Sequence, residues 1–187
     1  MDISHTSPAA SDAPRKPHVV LVGLPGAGKS TVGAVLAAKL SRPFLDFDVE
    51  VERREGMPIS RIFGERGEAA FRRLERSLTE EMQFRSNMVL APGGGWVRNP
   101  ETVSLLRPPA TLIYLSVRPE MAVQRLADSI GRRPLLDRRD PLAVMSKLLE
   151  ERRRAYQTAD LEIATEALTP EQVADKIIAK IHPHRHG

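Results

Sequence analysis

The chain has 187 residues, no cysteine and a formal net charge of +4. The lack of cysteine excludes disulfides, thiolate metal sites and a cysteine nucleophile. The charge excess is mild and aromatic residues make up only 4% of the chain, which disfavours nucleic-acid binding. No apolar run approaches the roughly 20 residues that span a membrane, so we expect a cytoplasmic protein with no membrane partner.

Both ends of the chain lack hydrophobic periodicity. Residues 1–17 are rich in Ser, Ala, Pro and Asp, which predicts a disordered leader without the apolar segment of a secretory signal. Residues 182–187 predict a flexible tail. The length of the remainder, 18–181, predicts a single domain.

Five short apolar runs alternate with helical patterns along this domain. The predicted strands cover 18–23, 43–47, 87–91, 111–117 and 161–165. Helix starts are indicated by Asn99-Pro100, an N-cap followed by a first-turn proline, and by a capping box at 169–172. The alternation predicts an α/β fold with three layers, in which helices cover both faces of a central five-stranded parallel sheet. Ligands bind beyond the carboxyl ends of the strands in such sheets.

A glycine-rich loop follows the first predicted strand. Residues 23–30 match the phosphate-binding pattern G-x-x-x-x-G-K-[ST], between a buried strand and a helix. Lys29 is expected to contact the β- and γ-phosphates of ATP, and the Ser30 hydroxyl is expected to bind Mg²⁺. The residues predicted to surround the phosphates are Gly26, Ala27, Gly28, Lys29, Ser30 and Thr31.

Two carboxylates, Asp46 and Asp48, lie at the end of the second predicted strand. Because side chains alternate along a strand, both are expected on the same side. Asp46 is predicted to bind Mg²⁺ through a water molecule, and Asp48 to orient an acceptor hydroxyl or accept its proton. The alternative for Asp48 is a structural role as the N-cap of the following helix.

The segment GEAAFRRLE at 67–75, together with FLDFD and the phosphate loop, resembles the shikimate kinases, P-loop kinases of the nucleoside-monophosphate-kinase-like group. The resemblance extends over about 18–181. It implies that Arg72 binds the substrate carboxylate, for which a guanidinium fork is well shaped, and that Glu75 keeps arginines in place. It also implies that a glycine loop packs against the substrate ring, formed by Gly93, Gly94 and Gly95.

The resemblance implies two segments in addition to the sheet and its covering helices. A helical substrate-binding segment is expected over about 48–86, and a mobile lid over about 128–141. Arg133 in the lid is expected to close over the γ-phosphate. Arg125 is expected to stack on adenine, or alternatively to lie on a solvated helix face.

The sequence departs from the family pattern at two places. Trp96, the only tryptophan, follows the glycine loop where a small residue is usual, and it either packs in the core or narrows the pocket. The segment at 148–156 resembles L-L-x-x-R-x-P-L-Y, but Arg154 replaces the proline. The second carboxylate-binding arginine is therefore Arg152 or Arg153, and the alignment favours Arg152.

The resemblance implies that ATP, with Mg²⁺, phosphorylates the 3-hydroxyl of shikimate to give 3-phosphoshikimate and ADP, a step in chorismate and aromatic amino acid biosynthesis. Lys29, Asp48 and Arg133 are the expected catalytic residues. The alternatives are a related kinase acting on gluconate or a nucleoside monophosphate, and a non-catalytic nucleotide or ligand sensor. We expect a monomer.

Overall fold

The computed structural model describes residues 17–127 and 140–182. Arg133 and nearly all of the expected lid lie outside these residues, as do most of the expected leader and tail. The strands are β1 (Val19–Val22), β2 (Phe44–Asp46), β3 (Val89–Ala91), β4 (Thr111–Ser116) and β5 (Leu161–Ala164). The helices are α1 (Lys29–Leu40), α2 (Phe47–Glu55), α3 (Ile59–Met82), α4 (Pro100–Ser104), α5 (Pro119–Ala127), α6 (Pro141–Tyr156) and α7 (Pro170–Ile181), with a 3₁₀ turn at Trp96–Arg98.

The five strands form one sheet in the order β2-β3-β1-β4-β5, with every neighbouring pair parallel. The predicted α/β fold and its five strands are confirmed. Strand β1 lies at the centre of the sheet and is buried along its whole length, as its continuous apolar run indicated. The carboxyl ends of β1, β2 and β3 lie at one edge, where the predicted ligand-binding loops begin.

Helices cover the sheet and close its core. Helix α1 packs against α7, and the two predicted helix starts are present. Asn99 Oδ1 accepts a hydrogen bond from the Thr102 N–H, and Thr169 forms a capping box with Gln172. Within residues 17–127 and 140–182, no helix is long and apolar enough to cross a membrane.

Helix α3 is interrupted at Gly67, where φ is 75° and ψ is 170°. This left-handed backbone favours glycine, because a Cβ atom would be strained there. The interruption separates an N-terminal part from the segment that carries Arg72, Glu75 and Thr79. These three residues, at i, i+3 and i+7, lie on the same face of the helix.

Candidate active site

The phosphate-binding loop connects β1 to α1. Gly28, the N-cap of α1, has a φ of 92°, and Gly26 has a φ of 82°. A Cβ atom on Gly26 would lie 2.6 Å from the Ala122 carbonyl oxygen, so any side chain there would clash with the start of α5. The loop therefore curls closely and presents the N-terminal amides of α1, a favourable environment for phosphate.

Lys29 lies in the first turn of α1 and its side chain folds back over the loop. Its ammonium donates hydrogen bonds to the carbonyl oxygens of Gly23 at 3.1 Å and Leu24 at 3.2 Å. The positive charge is thereby placed at the mouth of the loop, beside the position that the glycine-rich pattern predicts for phosphate oxygens.

A cleft of about 470 Å³ extends from this loop. Arg125 lines the cleft, and its guanidinium donates to Thr165 Oγ1 at 3.0 Å and to the Thr165 carbonyl oxygen at 2.7 Å. It therefore faces the cleft and does not point away into solvent. Sequence reasoning missed Thr165, Leu168 and Pro170, which also line the cleft. Thr165 could have been found from its position directly after β5, because ligands bind beyond the carboxyl ends of the strands.

Ser30 and Asp46 meet at the edge of the cleft, where the Ser30 hydroxyl donates to Asp46 Oδ2. The other carboxylate oxygen of Asp46 accepts from the backbone N–H groups of Asp48 at 2.9 Å and Val49 at 3.3 Å. Asp46 is therefore the N-cap of α2, and the prediction that gave this role to Asp48 as an alternative was wrong. The alternation argument was also wrong, because β2 ends at Asp46 and Asp48 lies in the first turn of α2.

The glycine loop after β3 lies against the predicted substrate-binding residues. A Cβ atom on Gly93 would be 2.5 Å from Glu75 Oε1 and 2.9 Å from Asp48 Oδ1. A Cβ atom on Gly95 would be 2.8 Å from Arg72 Nη1. The absence of side chains lets the backbone approach these charged groups, which the fold brings together from α2 and α3.

Gly94 connects this cluster with the phosphate-binding loop. Its Cβ position lies 2.8 Å from Arg152 Nη1 on one side, and 3.3 Å from the Gly23 carbonyl oxygen and 3.4 Å from Pro25 Cδ on the other. The cluster of acids and arginines around the glycine loop therefore lies beside the phosphate-binding loop. Such proximity is what transfer of a group between two bound molecules requires.

Arg72 is oriented by two glutamates of its own helix. Its guanidinium donates to Glu68 Oε1 at 2.9 Å and forms an ion pair with Glu75. Glu75 is only 2% exposed, and burial raises its pKa to about 7 although the Arg72 guanidinium acts in the opposite direction. Proton uptake by Glu75 near neutral pH would leave the cluster more positive and more favourable for an anion.

Arg152 and Arg153 have different surroundings although they are adjacent in α6. Arg152 is only 6% exposed, and its Nε and Nη1 atoms have no hydrogen-bond partner among the described residues. The Arg153 side chain is 59% exposed and pairs with Glu150 at 2.8 Å. A buried guanidinium with available donors suits an anionic ligand, because unsatisfied buried donors are costly. The structure therefore places Arg152, not Arg153, beside the glycine loop.

Trp96 packs in the core. It is 2% exposed, and its indole N–H donates to Thr79 Oγ1 at 2.9 Å. Of the two interpretations of this residue, the structure supports core packing. Thr79 was not identified from the sequence, and no signal there pointed to it.

Comparisons with known proteins identify the family of this chain. Residues 25–182 match the family model described as Shikimate kinase. The chain is 41% identical to the shikimate kinase of Caldicellulosiruptor bescii over 162 residues, covering 87% of this chain and 94% of that protein. The chain belongs to the shikimate kinase family. It is therefore an enzyme of the kinase class.

Solved structures of the family agree. A shikimate kinase from Acinetobacter baumannii, in complex with shikimate, superposes with a TM-score of 0.86 at 35% identity, covering 92% of this chain and 96% of that one. A gluconokinase from Sinorhizobium meliloti gives a TM-score of 0.55 at 18% identity, which shows a shared fold alone.

Proposed function

We propose that this chain transfers the γ-phosphoryl group of ATP to the 3-hydroxyl of shikimate, giving 3-phosphoshikimate and ADP. The observation that carries the proposal is the position of Gly94, in contact range of the phosphate-binding loop on one side and of Arg152 on the other. A nucleotide in the cradle and a small acid beside the arginines would therefore be neighbours.

The acid would be bound by Arg72 and Arg152. Arg72 is already oriented by Glu68 and Glu75, so little conformational entropy is lost when its fork pairs with a carboxylate. Arg152 would satisfy its buried donors on the same ligand. The glycine loop would pack against the substrate ring, since its backbone lies between these two arginines.

Asp48 would orient the attacking hydroxyl and accept its proton. Its Oδ1 lies beside Gly93 and is buried, at the side of the loop that faces Glu75. The neighbouring Glu75 carboxyl group has a raised pKa, so the proton accepted by Asp48 could be shared between these two side chains. His18 precedes β1, at the end of the parallel sheet opposite the glycine loop, and is engaged with the Met82 carbonyl oxygen and the Met88 N–H, so it does not compete for this role.

Phosphoryl transfer needs positive groups around the oxygens that gain negative charge. Lys29 and the amides of α1 would supply them from one side, and Arg125 would lie against the base of the nucleotide with Leu168 and Pro170. Arg133, outside the described residues, is proposed to cover the γ-phosphate. These groups act by position and charge and form no covalent intermediate.

The residues present fit a magnesium ion. Ser30 and Asp46 bring a hydroxyl oxygen and a carboxylate oxygen into contact, and hard oxygen ligands of this kind suit Mg²⁺. Mg²⁺ typically takes only one or two protein ligands, with phosphate oxygens and water completing its shell. When bound, it would offset charge on the phosphates. Asp46 would meanwhile remain the N-cap of α2.

The proposed function is tested by measuring ADP release with a panel of acceptors. We expect release with ATP and shikimate, and only background release with gluconate, with nucleoside monophosphates or with no acceptor. Preference for gluconate or a nucleotide would support a related kinase. Binding of ATP with no acceptor-dependent release would support a sensor.

The adjacent arginines of α6 provide a matched pair of variants. Arg152→Ala should raise the KM for shikimate at least about tenfold, because hydrogen bonds to charged groups contribute roughly 1.5–3 kcal/mol. Arg153→Ala should change it less than about twofold, because Arg153 is exposed and pairs only with Glu150 among the described residues. Steady-state kinetics at saturating ATP measures both values. The opposite ranking would assign the carboxylate to Arg153.

A further inference from the structure

A buried polar link joins the glycine loop to helix α3. The Trp96 indole N–H donates to Thr79 Oγ1 at 2.9 Å, and the Thr79 hydroxyl donates in turn to the Glu75 carbonyl oxygen at 2.7 Å. Trp96 and Thr79 are 2% and 0% exposed. Because both polar groups are satisfied in a dry environment, the link has a defined geometry that would be costly to break.

The link lies where the proposed substrate site requires a fixed distance between the glycine loop and α3. Trp96 directly follows Gly95, and its own backbone N–H donates to the Gly93 carbonyl oxygen at 3.0 Å. Thr79 lies on the face of α3 that also carries Arg72 and Glu75. One end of the link is therefore attached to the loop, and the other to the helix that carries the arginine.

The loop is held by hydrogen bonds that do not reach α3: the Trp96 and Arg98 N–H groups donate to the Gly93 and Gly95 carbonyl oxygens, and the Tyr156 hydroxyl donates to the Gly94 carbonyl oxygen at 3.4 Å. Three successive glycines give a backbone with large conformational freedom and no side chains to pack. The Gly95 Cα nevertheless lies so close to the Arg72 guanidinium that a side chain would clash. The large indole of Trp96, packed in the core beside the loop, is suited to maintain that approach, because its hydrogen bond to Thr79 reaches α3 itself.

We propose that Trp96, through Thr79, is a positioning residue that sets the distance between the glycine loop and Arg72 and thereby the affinity for the acid substrate. Trp96 acts through the loop and not on the substrate itself. The inference rests on the proposed function, because it takes Arg72 and the glycine loop as the carboxylate and ring contacts. Among the described residues, the phosphate-binding loop makes no hydrogen bond to Trp96 or Thr79 and meets the glycine loop only at Gly94, so the KM for ATP should depend on this link far less than the KM for shikimate does.

The test uses two conservative variants, Trp96→Phe and Thr79→Val. The first keeps a buried ring and removes the N–H donor, and the second is nearly isosteric and removes the hydroxyl. Each should raise the KM for shikimate at least about fivefold, the factor that corresponds to one hydrogen bond, with the KM for ATP unchanged. The double variant should be no worse than the more affected single variant, because both substitutions break the same link.

Thr102→Val is the matched control. Thr102 is another buried threonine, located on α4 outside the link, and its substitution should leave both KM values unchanged. If Trp96→Phe does not fold, Thr79→Val provides the same comparison. Equal increases in the KM for ATP and shikimate, or additive effects in the double variant, would overturn the positioning role.

The wild-type protein separates this inference from the function on which it rests. If the wild-type protein phosphorylates shikimate and both variants have unchanged KM values, the positioning role of Trp96 is refuted and the proposed function stands. A wild-type protein that releases no ADP with shikimate would overturn the proposed function and this inference together.

Discussion

Substitution of Lys29 by alanine is expected to lower kcat at least about 100-fold. The ammonium lies over the phosphate-binding loop, where it donates to the carbonyl oxygens of Gly23 and Leu24. Bound ATP would place its β- and γ-phosphates in this region, and loss of one electrostatic contact to a developing charge costs about 10²–10³ in kcat. Coupled measurement of ADP release at saturating ATP and shikimate gives the value.

Lys39→Ala is the control for this variant. Lys39 lies near the other end of the same helix and pairs with Asp175 of α7 at 2.5 Å. An ion pair of this exposure contributes roughly 0–1 kcal/mol to stability, so activity should remain close to that of the wild type. Near-normal kcat for Lys29→Ala, or an equal loss in both variants, would contradict the role proposed for Lys29.

Arg72→Ala is expected to raise the KM for shikimate about 100-fold while ATP binding is retained. The variant removes a fork that would make two charged hydrogen bonds, each worth roughly 1.5–3 kcal/mol. It also leaves Glu75 buried without its ion-pair partner, which should raise the pKa of Glu75 further and lower the Tm. ATP affinity is measured by titration in the absence of shikimate.

Two further variants separate recognition from stability. Arg72→Lys keeps a positive charge beside Glu75 but loses the planar fork, so it should retain most of the stability and still bind shikimate weakly. Arg76→Ala removes an arginine one turn along α3 that pairs with Glu80 and Glu101 at the surface. Its KM should be unchanged. An Arg72→Ala protein with normal shikimate KM would exclude Arg72 from the substrate site.

Local sequence was sufficient where a function depends on neighbouring residues. The phosphate-binding loop, its lysine and its serine occupy eight consecutive positions, and the backbone that they adopt depends on the positive φ of Gly26 and Gly28. The helix starts at Asn99 and Thr169 were predictable for the same reason, since a cap and its partner are three residues apart. The alternation of strands and helices likewise indicated a parallel sheet.

Local sequence was not sufficient where a residue's role depends on the boundary of an element or on packing. Strand alternation was applied to both Asp46 and Asp48, whereas the backbone turns into α2 after Asp46, whose side chain caps that helix. For the two adjacent arginines in α6, the alignment favours Arg152 but leaves Arg153 open. Only the packing of the helix, which buries Arg152 and exposes Arg153, separates them.

The sequence by itself determined the fold class and the phosphate-binding loop, and through a family motif it predicts Arg72 as the acid-binding arginine. Tertiary structure alone decided that Gly94 lies between Arg152 and the phosphate-binding loop, and that Trp96 is bonded to Thr79. The physical reason is distance along the chain. Hydrogen-bond patterns and backbone preferences act over a few residues, whereas contacts between β3, α3 and α6 exist only after the sheet and its helices have packed.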